Sequence, residues 1–170
     1  MNITASALDL ALAWIRQAEG GESDHPHDRG GRTAYGISQA HPEAWADGRV
    51  TWEEAREIYV HDYWRARGID RLPSALAIAV FDGEVQHRPR VAIRLAQRAL
   101  GVVPDGIIGP ITEAAAREAD AATVIDRYLA LRARHYHDIV RADSSQAVFL
   151  EGWYWRLFRL HRYLMEVCDE

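Results

Sequence analysis

ALAIAVF, residues 75–81, is apolar at every position. A helix that is hydrophobic all round has no face to offer water, so this run predicts the buried centre of a helical domain. Working outward, Thr51-x-x-Glu54 is a capping-box signature that opens a helix to about Arg67. Ala55, Ile58, Tyr59, Asp62 and Ala66 would share one side of it, and Gly68 would stop it. On the other side, Pro89 suits the first turn of a helix ending at Gly101, and Pro110 the first turn of a shorter one to about Ala119. Periodic segments at about 121–141 and 147–167 complete an almost wholly helical chain.

The N-terminal segment 6–19 begins with the capping-box-like Ser6-x-x-Asp9 and carries Leu8, Leu12, Ile15 and Glu19 along one stripe. Gly20 and Gly21 supply its stop. Residues 22–32 read as loop, and Thr33, Tyr35 and Ile37 then alternate onto one face, as in a small β-hairpin. The expectation is a mainly α fold with one small β-hairpin near residues 28–38.

A chain of 170 residues can bury one substantial core, and no repeat or Gly/Ser linker divides it. With 48% hydrophobic and 26% charged residues it reads as globular, and no apolar run approaches the roughly 18–20 residues of a membrane span. The N-terminus lacks the basic start of a Sec signal, which predicts synthesis and folding in the cytoplasm. Cys168 is the only cysteine, so neither an intrachain disulfide nor a Cys-based zinc site is expected. The net charge of −5 argues against nucleic-acid binding, where basic side chains must neutralise phosphates. All 20 basic residues are arginine, a bias that fits a GC-rich genome.

Glu19 is the first candidate for chemistry. Its place on the apolar stripe sets a carboxyl among dry neighbours at a helix end that opens to a cleft. Desolvation and the negative end of the helix dipole both favour the protonated form. A protonated carboxyl is what cleavage of a glycosidic bond requires, because the leaving oxygen must receive a proton as the sugar gains oxocarbenium character. Asp28, on a solvated loop, would stay ionised to stabilise that charge or hold a water, with the Thr33 hydroxyl orienting the water. The same residues also read as an exposed helix end and an ordinary Asp-x-Gly-Gly turn, and spacing alone does not separate the two.

The pattern E-G-G-x-x-x-x-P-x-D-x-G-G-x-T-x-x-G-I is carried here by Glu19, Gly20, Gly21, Pro26, Asp28, Gly30, Gly31, Thr33, Gly36 and Ile37. It resembles the signature of the glycoside hydrolase family 108 muramidases, lysozyme-like enzymes found as phage endolysins and secretion-associated wall hydrolases. The Glu, Asp, Thr order also resembles phage-type lysozymes, with the last gap one residue shorter. Downstream, Tyr63-Trp64, Leu72-Pro73 and Phe81-Asp82 are similar to further family landmarks. GVVPDGIIGPIT, residues 101–112, and the spacing Phe149, Gly152, Trp153, Arg156 resemble the peptidoglycan-binding region that ends these proteins. Gln86 stands where relatives tend to have Asn, and the HRP after it replaces a Gly-containing turn.

That resemblance implies a lysozyme-like catalytic region over 1–90 and a helical peptidoglycan-binding region over 91–170, packed as one unit. It implies hydrolysis of the β-1,4 bond between N-acetylmuramic acid and N-acetylglucosamine, no cofactor, and action on the periplasmic wall after holin-type release. Glu19, Asp28 and Thr33 would be catalytic; Tyr35, Trp64, Asp82 and Gln86 would meet substrate, Tyr35 and Trp64 by stacking on sugar rings. Asp82 and Glu84 also read as caps or partners of arginine. A water held by Asp28 and Thr33 opposite the leaving group would give inversion, for which the carboxyls should stand about 6.5–9.5 Å apart.

Bacterial peptidoglycan is thus the expected partner, met by a monomer, and no metal is expected. Two other classes remain open: a non-catalytic wall-binding module, and a metal-dependent amidase or peptidase built on His25 and His27, which still lack a third ligand. His135 and His137 lie two apart on a helix and point to different faces. Residues 153–164, WYWRLFRLHRYL, form a basic amphipathic helix that suits either a weak outer-membrane contact or, more simply, the solvated face of a terminal helix. Gly106 and Gly109 serve the backbone of their loop rather than a ligand.

Overall fold

The computed structural model describes residues 5–19, 22–23, 33–38 and 44–168. Helix α1 spans Ala7–Glu19. It is opened by Ser6, whose hydroxyl accepts from the Asp9 N–H at 3.2 Å while Asp9 Oδ2 reaches back to the Ser6 hydroxyl at 2.6 Å. Three two-residue strands follow: β1 (Glu22–Ser23), β2 (Thr33–Ala34) and β3 (Ile37–Ser38). They pair antiparallel in the order β1-β2-β3, with Ala34 opposite Ile37 and Glu22 opposite Ala34.

The hairpin differs from the expected alternation. Tyr35 and Gly36 are its two loop residues, with φ of +50° and +76°, the positive values that tight hairpin turns favour. Tyr35 therefore leaves the face it was expected to share with Thr33 and Ile37. Residues 22–23, read as loop, add a third strand.

Helix α2 spans Trp52–Ile58 under a complete capping box from Thr51 and Glu54, then continues as a π-helical segment over Tyr59–Arg65. The wider turn shifts the inward register. Tyr59 and Trp64 are buried, while Asp62 and Ala66, expected on the inner side, face solvent. Gly68, at φ +71°, ends the segment.

Helix α3 (Ser74–Gln86) is the predicted centre: every residue from Leu76 to Glu84 is buried, and it packs against α1, α4, α6 and α7. These partners span Val91–Leu100 (α4), Ala121–Ala142 (α6) and Leu150–Cys168 (α7), with α5 at Pro110–Glu118. Helix α4 starts after Pro89 rather than on it, with Arg90 in a left-handed conformation at φ +66°. Gly83 lets the neighbours close on α3, since a β-carbon there would meet the Tyr128 hydroxyl at 2.4 Å and the Ala92 β-carbon at 2.7 Å. One core cluster runs from Ala11 in α1 to Leu164 in α7.

Candidate active site

Glu19 is the last residue of α1, and its side chain keeps 20% of its surface exposed. Its surroundings are not the uncharged apolar ones that its stripe position suggests. Arg156, reaching in from α7, places Nη1 2.7 Å from Glu19 Oε1. That ion pair anchors the carboxyl from the α7 side and fixes the direction in which it points. Oε2 lies on the hairpin side. A β-carbon on Gly36 would stand 3.0 Å from Glu19 Oε2 and 2.6 Å from the Tyr59 hydroxyl, so only glycine fits at this turn. The Tyr59 hydroxyl donates to the Tyr35 carbonyl at 2.6 Å and ties the π-helical segment to the hairpin. Burial and the neighbouring charge of Glu19 push the Tyr59 phenol well above its ordinary range, which keeps it a neutral donor.

Behind Glu19 lies a chain of buried charges. Arg156 also bonds through Nε to Asp82 Oδ1 at 2.9 Å, while its Nη2 lies 2.8 Å from the same oxygen in poor alignment. Arg132 of α6 takes Asp82 Oδ2 at 2.7 Å, and the Trp14 indole N–H donates to Oδ1 at 2.6 Å. Burial alone would raise the Asp82 pKa, but Arg156, Arg132 and the Trp14 bond hold it well below the usual carboxylate range. Burial likewise opposes the charge on Arg132 and Arg156, and Asp82, joined by Glu19 for Arg156, keeps both cationic. Asp82 thus joins two guanidiniums in the interior, and Glu19, at the outer end of the chain of contacts, is its most exposed member.

The substrate-contact expectations need correction at two residues. Asp82 has no exposed surface and all its bonds go inward, so it positions Arg156 and Arg132 rather than touching a sugar. Trp64 is 5% exposed and sits edge-on against Phe81 at 5.4 Å between ring centres, which leaves no face for stacking. Gln86 spends its carbonyl oxygen internally, accepting from Arg132 Nη2 at 2.7 Å and the Tyr136 hydroxyl at 2.6 Å. Tyr35 is half-buried and meets Trp52 edge-on at 5.7 Å. Glu84 pairs with Arg67 and accepts from the N–H groups of Arg90 and Ile93, capping α4. Asp28, His25 and His27 lie outside the described residues. Thr33 is placed by its backbone in the central strand β2.

Sequence reasoning missed Trp14, Tyr59, Arg132 and Arg156 as parts of the site. A signal was present for the arginines. Arg156, Leu160 and Leu164 recur every fourth residue, as do Tyr128, Arg132 and Tyr136, so each arginine interrupts a buried stripe. Arg156 accordingly leaves the basic outer face of residues 153–164, where Arg159 and Arg162 stay exposed beside Trp155 and Phe158. A cavity of about 510 Å³ on that outer face is lined by Leu150, Tyr154, Trp155 and Phe158, and Glu19 takes no part in it. No group of three or more metal-ligating side chains occurs among the described residues.

Residues 12–87 match the family described as Glycosyl hydrolase 108, and residues 91–158 the one described as Predicted Peptidoglycan domain. The fold is similar to the structure of Brucella abortus SagA, with a TM-score of 0.82 and 28% identity over 96% of each chain. No curated protein matches. Glu19 and Asp82 fall in the first matched region, Arg132 and Arg156 in the second.

Proposed function

We propose that the chain, which matches the glycosyl hydrolase 108 family over residues 12–87 and the predicted peptidoglycan domain over 91–158, is a glycoside hydrolase of peptidoglycan and, more narrowly, a muramidase of the endolysin type. The bond cleaved is the β-1,4 link between N-acetylmuramic acid and N-acetylglucosamine. Glu19 gives its proton to the glycosidic oxygen as the bond to the anomeric carbon breaks. A water held by Asp28 and oriented by Thr33 adds to that carbon from the opposite side and yields its proton to Asp28, so the product is inverted.

The observation that carries this reading is the setting of Glu19: a partly shielded carboxyl at a helix end, fixed from behind by Arg156 and faced by a turn that only glycine can form. Such a group is held in one geometry, as a general acid must be. Sugars closing over its exposed fifth would exclude water from the reacting bond.

Glu19→Gln keeps the size and polarity of the side chain and removes the proton donor. Release of soluble muropeptides from purified sacculi should fall at least about 100-fold, with thermal melts showing that the variant is folded. Equal release would remove Glu19 from the mechanism. New reducing ends separate this activity from an amidase or peptidase, and sacculus binding without reducing ends would mark a non-catalytic module. EDTA should leave the rate unchanged, whereas an enzyme built on His25 and His27 would stop.

A further inference from the structure

Away from Glu19, a second concavity of about 220 Å³ lies between the π-helical end of α2 and the loop before α5. Arg65, Arg67, Arg71 and Arg90 line it, and no carboxylate among the described residues does. Two of the four are already committed. Arg67 pairs with Glu84 and lies 4.4 Å over the Tyr63 ring; Arg71 donates to the Ile108 carbonyl at 3.2 Å, with Glu113 at 3.7 Å. Glu84 cannot serve the rest, because its oxygens are taken by Arg67 and by the Arg90 and Ile93 N–H groups. Arg65 and Arg90 are exposed and have no carboxylate within ion-pair distance among the described residues.

In a protein of net charge −5, unpaired cations gathered around one hollow are a local reversal of sign. The hollow is also built rather than incidental. Arg90 holds a positive φ of +66°, a strained conformation for a residue with a side chain. Gly106, at φ +82°, brings loop backbone directly against the arginines: a β-carbon there would stand 3.1 Å from the Arg90 β-carbon and 3.2 Å from Arg94 Nε. The buried amide of Gln97 fixes this loop, accepting from the Gly106 N–H at 2.8 Å and donating to Asp105 and the Ile107 carbonyl at 2.7 and 3.0 Å. Ile93, Ile107 and Ile108 supply an apolar wall beside the charges.

We infer that this pocket binds a carboxylate of the peptide that branches from the glycan strand, with Arg65 and Arg90 on the carboxylate and the isoleucines against the adjoining aliphatic side chain. The inference rests on the reading of peptidoglycan as the ligand. Guanidinium forks suit carboxylate and phosphate alike, and the apolar wall selects an amino acid over a free phosphate group. The volume suits one acidic residue rather than a disaccharide. The loop that the sequence suggested was only structural becomes one wall of a subsite.

The test is calorimetric titration of the full chain with a synthetic stem peptide bearing free carboxylates, the same peptide fully amidated, and inorganic phosphate. The free acid should bind at least about tenfold more tightly than either control, and Arg65→Gln with Arg90→Gln should lower its affinity by a further factor of about ten or more. Arg90→Lys, which keeps the charge without the fork, should fall between. Equal binding of acid and amide, phosphate binding as tight as the peptide, or an unchanged affinity in the double variant would each overturn the inference. Reducing-end release by the same wild-type preparation keeps the two claims apart. Peptide binding without release sinks the muramidase reading alone, and release without peptide binding sinks the pocket alone.

Discussion

Arginine does opposite work in two places in this molecule. Arg132 and Arg156 sit in the interior, where each guanidinium meets a carboxyl group at 2.7 Å and both share Asp82. Arg65 and Arg90 sit at the rim of a hollow with no carboxylate in reach among the described residues. A buried cation without a partner is too costly to keep, so burial dictates pairing; an exposed one stays solvated and remains available to a ligand. The first pair therefore belongs to the rigidity of the site and the second to recognition.

Breaking the interior group should have the largest effect. Asp82→Asn leaves two guanidiniums facing each other without their shared anion, and chemical denaturation should report a loss of about 3–5 kcal/mol. A loss below about 1 kcal/mol would mean that water replaces the carboxylate and that the group is not truly dry.

Acid should sharpen the comparison. Burial, with the charges of Arg132 and His135 nearby, pushes His87 down to about 3, so the folded protein keeps it neutral. The unfolded chain takes up a proton near the ordinary histidine value of about 6.5. Stability from this residue is thus intact above about pH 6.5 and declines as pH falls toward the folded value, by up to about 1.4 kcal/mol per pH unit. Between pH 6.5 and 4.5 the wild type should lose roughly 2 kcal/mol more than His87→Gln. His135, lowered in the same direction by burial, leaves a residual slope in the variant. Asp82 adds nothing in this window. Its depressed value means that its contribution is present above the unfolded aspartate value of about 3.9 and fades only below it. Parallel stability profiles for wild type and variant would show that His87 is solvated.

Arg65→Gln marks the other end of the scale. With no side-chain partner to lose among the described residues, it should leave the unfolding free energy within about 0.5 kcal/mol of wild type. A larger loss would reveal a structural partner and weaken its assignment to a ligand.

Much of the fold was legible in the chain. The capping boxes at Ser6 and Thr51, the glycine stops at 68 and 101 and the all-apolar run at 75–81 act through neighbours a few residues away, and each does in the structure what its local chemistry demands. The π-helical widening after Ile58 was not legible, and it moved Trp64 inward and Asp62 outward. Nor was the turn at Tyr35 and Gly36, where a period of two promised an alternating strand. In the candidate site, the position of Glu19 at the end of an apolar stripe was readable, but its partner was not, because Arg156 lies 137 residues further along the chain.

The sequence by itself determined where the capped helices begin, where glycine stops them, which run must be central and which carboxyl closes the first helix, since capping, periodicity and glycine geometry operate within a turn or two of chain. Only the tertiary structure decided that Asp82 is an internal counter-ion, that Arg156 steadies Glu19, and that Arg65 and Arg90 meet the Gly106 loop. Those outcomes depend on which charges are buried together, and desolvation acts on neighbours in space whatever their separation along the chain.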